Sequence, residues 1–244
     1  RWPQDANSLP FCSREPMTET PDLPPDDVSN EPARRAPPLT ELTLADIPPR
    51  VGLFPLSGAL LLPGGHLPLL VFEAPYVALL EDALAGRRMI GVIQPLMDPD
   101  TDEHPLLYRT GTLGRITEFA EHADGTFTVT LLGISRFRLI RETPTEHGWR
   151  EGIIDATPFA ADLVEEDPMP INRDLLLEGL KTYLESRDLQ ASWPLIEDMD
   201  DETLLVVLPM LVPFTPVEKQ SLLEAMTLDE RAGLLLDLLE RGME

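Results

Sequence analysis

The chain of 244 residues carries 43 Asp and Glu against 19 Lys and Arg, a formal charge of −24, so its average field repels nucleic-acid phosphates and anionic lipid surfaces. A hydrophobic share of 43% supplies apolar mass for one large domain or two small ones. The single cysteine, Cys12, excludes an intramolecular disulfide, and no Cys/His cluster suggests zinc, which fits a reducing cytoplasm.

Residues 1–41 mix recurrent proline with Asp, Glu, Ser and Thr and hold few large apolar groups. Such a composition buries too little surface to offset chain ordering, and it predicts a disordered acidic tail. The opening residues show no signal-peptide core. Met17 offers a start, and residues 1–16 are read as appended or upstream sequence, which the mass of the natively expressed protein would check.

The segment LFPLSGALLLPGGHLPLLVFE (53–73) is long and apolar, but Pro55, Pro63 and Pro68 remove backbone donors and Gly64, Gly65 and His66 interrupt its middle. That excludes a spanning helix and predicts short strands at 51–54, 59–62 and 67–71. The period then changes: Tyr76, Leu79, Leu80, Ala83 and Leu84 share one face of a helix over 73–85 that Gly86 ends. MIGVIQP (89–95) returns to strand character, and an acidic loop follows.

RTGTLGRITEF and TFTVTLLGISRFRLI alternate about the turn Ala123-Asp124-Gly125, with Phe127, Val129 and Leu131 on one face and Thr126, Thr128 and Thr130 on the other. WREGIIDATPF adds a strand, so the middle of the chain reads as a closed or half-closed barrel. Beyond 162 the pattern is helical. Asn172 caps a helix carrying Leu175, Leu176, Leu180, Tyr183 and Leu184. Asp200 or Asp201 opens ETLLVVLPMLV, Thr215 caps PVEKQSLLEAM, and Thr227 caps LDERAGLLLDLLERG. The expected organisation is a β-rich lobe over 42–161 and a helical lobe over 162–244.

Catalytic patterns are missing: no phosphate loop, no dinucleotide glycine fingerprint, no H-E-x-x-H and no G-x-S-x-G elbow. Lys181 and Lys219 lie on amphipathic helices, and Ser221, two positions from Lys219, faces away from it. His66, His104, His122 and His147 are scattered over expected loops without a second ligand at metal-binding spacing, and no cofactor is expected. Phe54, Phe72, Tyr76, Phe127 and Phe137 suit core positions, while Arg136, Arg138 and Arg141 suit local ion pairs. The loop from Leu62 to Leu67 stands apart, because apolar residues on a Gly/Pro turn can stay exposed and dock an extended peptide.

In their order, FPLSGALLLPGGHLPLLVFEAPYVALLEDAL, GVIQP, LYRTGTLGRI, DGTFTV, LLGISRFRL and LVPFTPVEKQSLLEAMTLDERAGLLLDLL resemble the N-terminal substrate-binding domain of Lon protease over about residues 42–239. The resemblance implies an α+β fold, a PUA-like β pseudo-barrel followed by a helical bundle. It also implies recognition of unfolded or exposed apolar polypeptide segments, with the ATPase and Ser-Lys peptidase residing in modules this sequence does not match. The resulting expectation is a non-catalytic cytoplasmic recognition module, an adaptor that delivers clients to a protease or chaperone. Its candidate peptide-binding residues are Leu62, Pro63, His66, Leu67, Phe72, Tyr76 and Arg136. Two alternatives stay open: RNA binding through the PUA-like lobe, and hydrolase activity.

Overall fold

The computed structural model describes residues 42–96, 105–164 and 171–241, all within a compact unit of residues 35–244. The expected acidic tail and most of the acidic loop after residue 95, His104 included, lie outside the described residues.

Six strands, β1 (Arg50–Pro55), β2 (His66–Val71), β3 (Met89–Pro95), β4 (Leu107–Glu121), β5 (Phe127–Pro144) and β6 (Arg150–Asp155), form one sheet in the order β2-β5-β4-β3-β1-β6. A further β5–β6 pairing closes five of them into a ring and leaves β2 outside as an edge strand on β5. Closure is possible because β5, 18 residues long, changes partners along its length. Register shifts at Leu113/Gly114 and Ile116/Glu118 in its ladder with β4, and at Leu139/Arg141 in its ladder with β6, bend the pair as bulges do. The β1–β3 pair is parallel, and its crossover holds β2 and α1 (Ala74–Ala85). The predicted hairpin is β4–β5, and Phe127, Val129 and Leu131 are buried as their alternation required.

The expected strand at 59–62 is not a strand, although Leu60, Leu61 and Leu62 are all but fully buried. Their backbone is satisfied outside any ladder: Thr112 Oγ1 donates to the Leu61 carbonyl at 2.6 Å, and the Gly65 N–H donates to the Leu62 carbonyl at 2.9 Å. Two apolar environments on opposite sides hold the segment, since Leu61 joins the core under α1 while Leu60 and Leu62 join the helical core. Periodicity reports burial on both faces, and a buried link satisfies that pattern as well as a strand.

The helical part comprises α2 (Arg173–Ser186), α3 (Trp193–Asp198), α4 (Asp201–Leu211), α5 (Pro216–Glu224) and α6 (Leu228–Arg241). The predicted caps form. Asn172 accepts from the Leu175 N–H, Asp200 from the Thr203 N–H, Thr215 from the Glu218 N–H in a capping box, and Thr227 from the Glu230 N–H. Leu176, Leu180, Tyr183 and Leu184 face the core, whereas Leu175 is exposed. The reading missed α3, six residues long with Pro194 in its first turn and only Ile196 buried, too short to show a period. No described helix is long and apolar enough to cross a membrane.

Candidate functional site

A cleft of about 720 Å³ lies between the strands and the helices. One wall is the 63–66 loop, a second is the segment 161–164 that ends a 3-10 turn (Thr157–Leu163), and the third is α4 with the α5–α6 link and the start of α6. The loop can stand there because of two glycines. Gly64 has φ +80, the left-handed region that glycine enters freely. Gly133 of β5 lets the loop lie directly on the strand, where a Cβ would overlap the Leu62 carbonyl oxygen. Hydrogen bonds from the Gly64 N–H to the Gly133 carbonyl and from the Gly133 N–H to the Gly65 carbonyl fasten it.

Arg136 ties the walls together. Its Nε donates to Asp162 Oδ2 at 2.9 Å and its Nη2 to Asp162 Oδ1 at 2.7 Å, the parallel fork favoured between guanidinium and carboxylate. Nη1 donates to the carbonyls of Leu223 (3.2 Å) and Ala225, and Nη2 reaches the Met226 carbonyl at 3.4 Å. These carbonyls close the C-terminal end of α5, where unsatisfied acceptors and the helix dipole favour a cation. The guanidinium also sits 4.8 Å from the centroid of the Phe159 ring.

A second polar seam runs beside it. Gln94 Nε2 of β3 donates to the Pro216 carbonyl and to Gln220 Oε1, each at 3.1 Å, and Gln220 Nε2 donates to the Thr110 carbonyl at 3.1 Å. Lys219 Nζ donates to the carbonyls of Gly58 (3.0 Å) and Met210 (3.3 Å), and burial pushes its pKa below the ordinary lysine value. Satisfied buried networks of this kind fix one mutual orientation of the parts they join.

The structure brings three of the sequence-derived candidates into the cleft, Pro63, His66 and Arg136. His66 is exposed at the first position of β2, while Arg136 has its donors engaged by the protein and is 3% exposed. Leu62 is fully buried and supports the loop from beneath. Leu67, half-buried, packs toward the core under α1, and Tyr76 packs edge-on against Phe54 with centroids 4.5 Å apart. Phe72, assigned to the core by its pattern, follows the last residue of β2 and is 64% exposed, away from the cleft. Sequence reasoning missed the cleft's apolar mouth: Val164, Leu211 and Met226 are 67%, 75% and 50% exposed. Leu211 lies in the run LLVVLPMLV, apolar at every position, so no periodicity marks it as exposed.

Lys219 and Ser221, weighed in the sequence as a Ser-Lys pair, are engaged apart from each other: Lys219 Nζ faces carbonyls, and the Ser221 hydroxyl donates to the Val217 carbonyl at 3.0 Å. Among the described residues no group of three or more His, Cys, Asp or Glu is placed to hold a metal. The arrangement is suited to holding an apolar segment between its walls.

A family model described as the ATP-dependent protease La (LON) substrate-binding domain matches residues 50–241. Lon protease 2 of Myxococcus xanthus is 29% identical over 204 residues, 82% of this chain and 24% of that one. A Lon protease of Parabacteroides distasonis is 30% identical over 199 residues, covering 78% of this chain and 24% of that one. The chain thus spans about a quarter of the length of these curated relatives. The crystal structure of a Lon N-terminal domain protein from Xanthomonas campestris aligns with TM-score 0.55 and 26% identity, over 77% of this chain and 97% of that chain. The N-terminal domain of a Mycobacterium avium complex Lon protease aligns with the same TM-score at 18% identity, which speaks to the fold alone.

Proposed function

Because this chain belongs to the Lon substrate-binding domain family, we propose that it recognises exposed apolar segments of polypeptides in the cleft between its strands and its helices, without chemistry of its own. The observation that carries the reading is the clustering of exposed Val164, Leu211 and Met226 at the mouth of a cleft whose walls are otherwise fastened by buried hydrogen bonds. Exposed apolar side chains around a concavity are a signature of a docking surface, and pre-formed walls reduce the ordering cost of binding.

Pro63 and His66 contribute the strand side of the groove, and Arg136 acts by holding the walls. Phe72 and the exposed Leu70 lie on or just beyond edge strand β2 and form a secondary contact for an extended chain. Delivery of the bound segment to a protease or chaperone in the cytoplasm is the cellular role that suits such a module. Affinity for short peptides is about micromolar or weaker, because ordering an extended segment opposes binding.

The test is fluorescence anisotropy with a labelled, permanently unfolded polypeptide and with short apolar peptides, against the wild type and Leu211→Ser or Val164→Ser. Both side chains are exposed, so the variants fold normally, and each is expected to weaken binding several-fold. Wild-type affinity in both variants, or no binding at high protein concentration, overturns the reading.

A further inference from the structure

We infer that the cleft selects apolar segments flanked by basic residues and discriminates against acidic flanks, with Glu202 as the local determinant. This rests on the polypeptide-recognition reading and names the chemistry of the segment it admits.

The positive charges lining the cleft are already answered by the protein. Arg136 is held by Asp162 and by the carbonyls at the end of α5. Arg231 is 4% exposed, and its Nε donates to the Leu222 carbonyl at that same helix end. The two helix N-termini at the mouth are likewise occupied. Asp200 accepts from the Thr203 N–H at the start of α4, and Glu230 accepts from the N–H groups of Met226 and Thr227 before α6. Their partial positive charge is therefore spent on side chains of the chain itself.

What remains at the mouth is negative. Glu202 lines the cleft from the first turn of α4, is exposed, and makes no ion pair among the described residues. Its neighbour Asp201 is paired with Arg173 at 2.8 Å, and exposed Asp229 and Glu230 open α6 beside the cleft residues Thr227 and Leu228. The whole chain adds a formal charge of −24. An acidic segment entering here meets like charge with no free Lys or Arg among the described cleft residues to receive it, while Lys or Arg beside an apolar stretch meets Glu202.

The experiment uses three labelled peptides with one apolar core and lysine, serine or aspartate flanks, titrated by anisotropy at low and high salt against the full chain, Glu202→Gln and Glu202→Lys. The expected order of affinity is lysine, then serine, then aspartate, with roughly fivefold between the extremes at low salt and convergence at high salt. Glu202→Gln narrows that spread and Glu202→Lys reverses the preference for lysine over serine. Equal affinities for all three peptides, or tightest binding of the aspartate-flanked one, overturn the charge selection and leave peptide recognition standing. A lysine preference unaffected by both variants overturns the role of Glu202. Failure of all three peptides to bind overturns the recognition reading itself.

Discussion

Removal of the buried Arg136 fork has a calculable consequence. Arg136→Met keeps the length of the side chain but strips Asp162 of its partner in a setting where the two side chains are 4% and 7% exposed. It also releases the carbonyls of Leu223, Ala225 and Met226. Breaking one partner of a buried pair costs about 3–5 kcal/mol, equivalent to a fall of about 6–12 °C in Tm for the lower figure at this chain size. Asp162 keeps one bond, from the Arg136 backbone N–H at 2.8 Å, so Asp162→Asn is milder, about 1–3 kcal/mol. Arg136→Met with Asp162→Leu removes both charges, and its cost falls well below the sum of the two single changes. The assay is urea unfolding followed by tryptophan fluorescence, using Trp149 packed in the strand core and Trp193 packed on the helical core as separate reporters, each read in a variant lacking the other and Trp2. In Arg136→Met the two transitions are expected to separate. A loss below about 1 kcal/mol, or strict additivity in the double variant, refutes the claim that this fork holds the cleft walls together.

Gly133→Ala forces the Leu62 carbonyl away from β5 and so displaces the 63–66 loop, with a stability loss of about 1–3 kcal/mol and weakened peptide binding; unchanged melting and binding would show that the loop does not depend on this approach. Asp200 has its pKa depressed, chiefly by the Thr203 N–H and then by the Thr203 hydroxyl. Its folded-state pKa lies below the unfolded one, so its contribution is present above the ordinary aspartate pKa and is lost as pH falls through the folded value. Asp200→Asn keeps a capping side chain, leaves neutral-pH stability nearly unchanged and makes the acid limb of unfolding shallower; identical acid limbs would contradict the assignment. Leu60→Ala, at a position 2% exposed in the helical core, costs about 2–5 kcal/mol by thermal unfolding, whereas Leu70→Ala, 59% exposed, costs under about 0.5 kcal/mol.

Local patterns carried the elements and their ends. A cap residue must satisfy the N–H groups of its own first turn, so Asn172, Thr215 and Thr227 could be placed from neighbours three positions away, and the cap of α4 narrowed to Asp200 or Asp201, of which the structure uses Asp200. The alternation of Phe127, Val129 and Leu131 likewise stated which face of β5 is dry. The ordered motifs carried the family, and with it the α+β architecture.

What the chain folding back on itself decided was which buried residue meets which environment. The three leucines at 60–62 look alike in sequence, yet they divide between two cores because Gly133 admits their backbone against β5. Arg136 and Asp162 are 26 positions apart, and the α5 carbonyls that share the guanidinium lie about 90 positions downstream, separations at which no periodicity operates. For the same reason the cleft was not legible: its apolar mouth joins Val164, Leu211 and Met226 from three segments, and exposure is a property of the packed chain. Local hydrogen bonding and amphipathic period are written in neighbouring residues, whereas a groove exists only where distant segments stop short of touching.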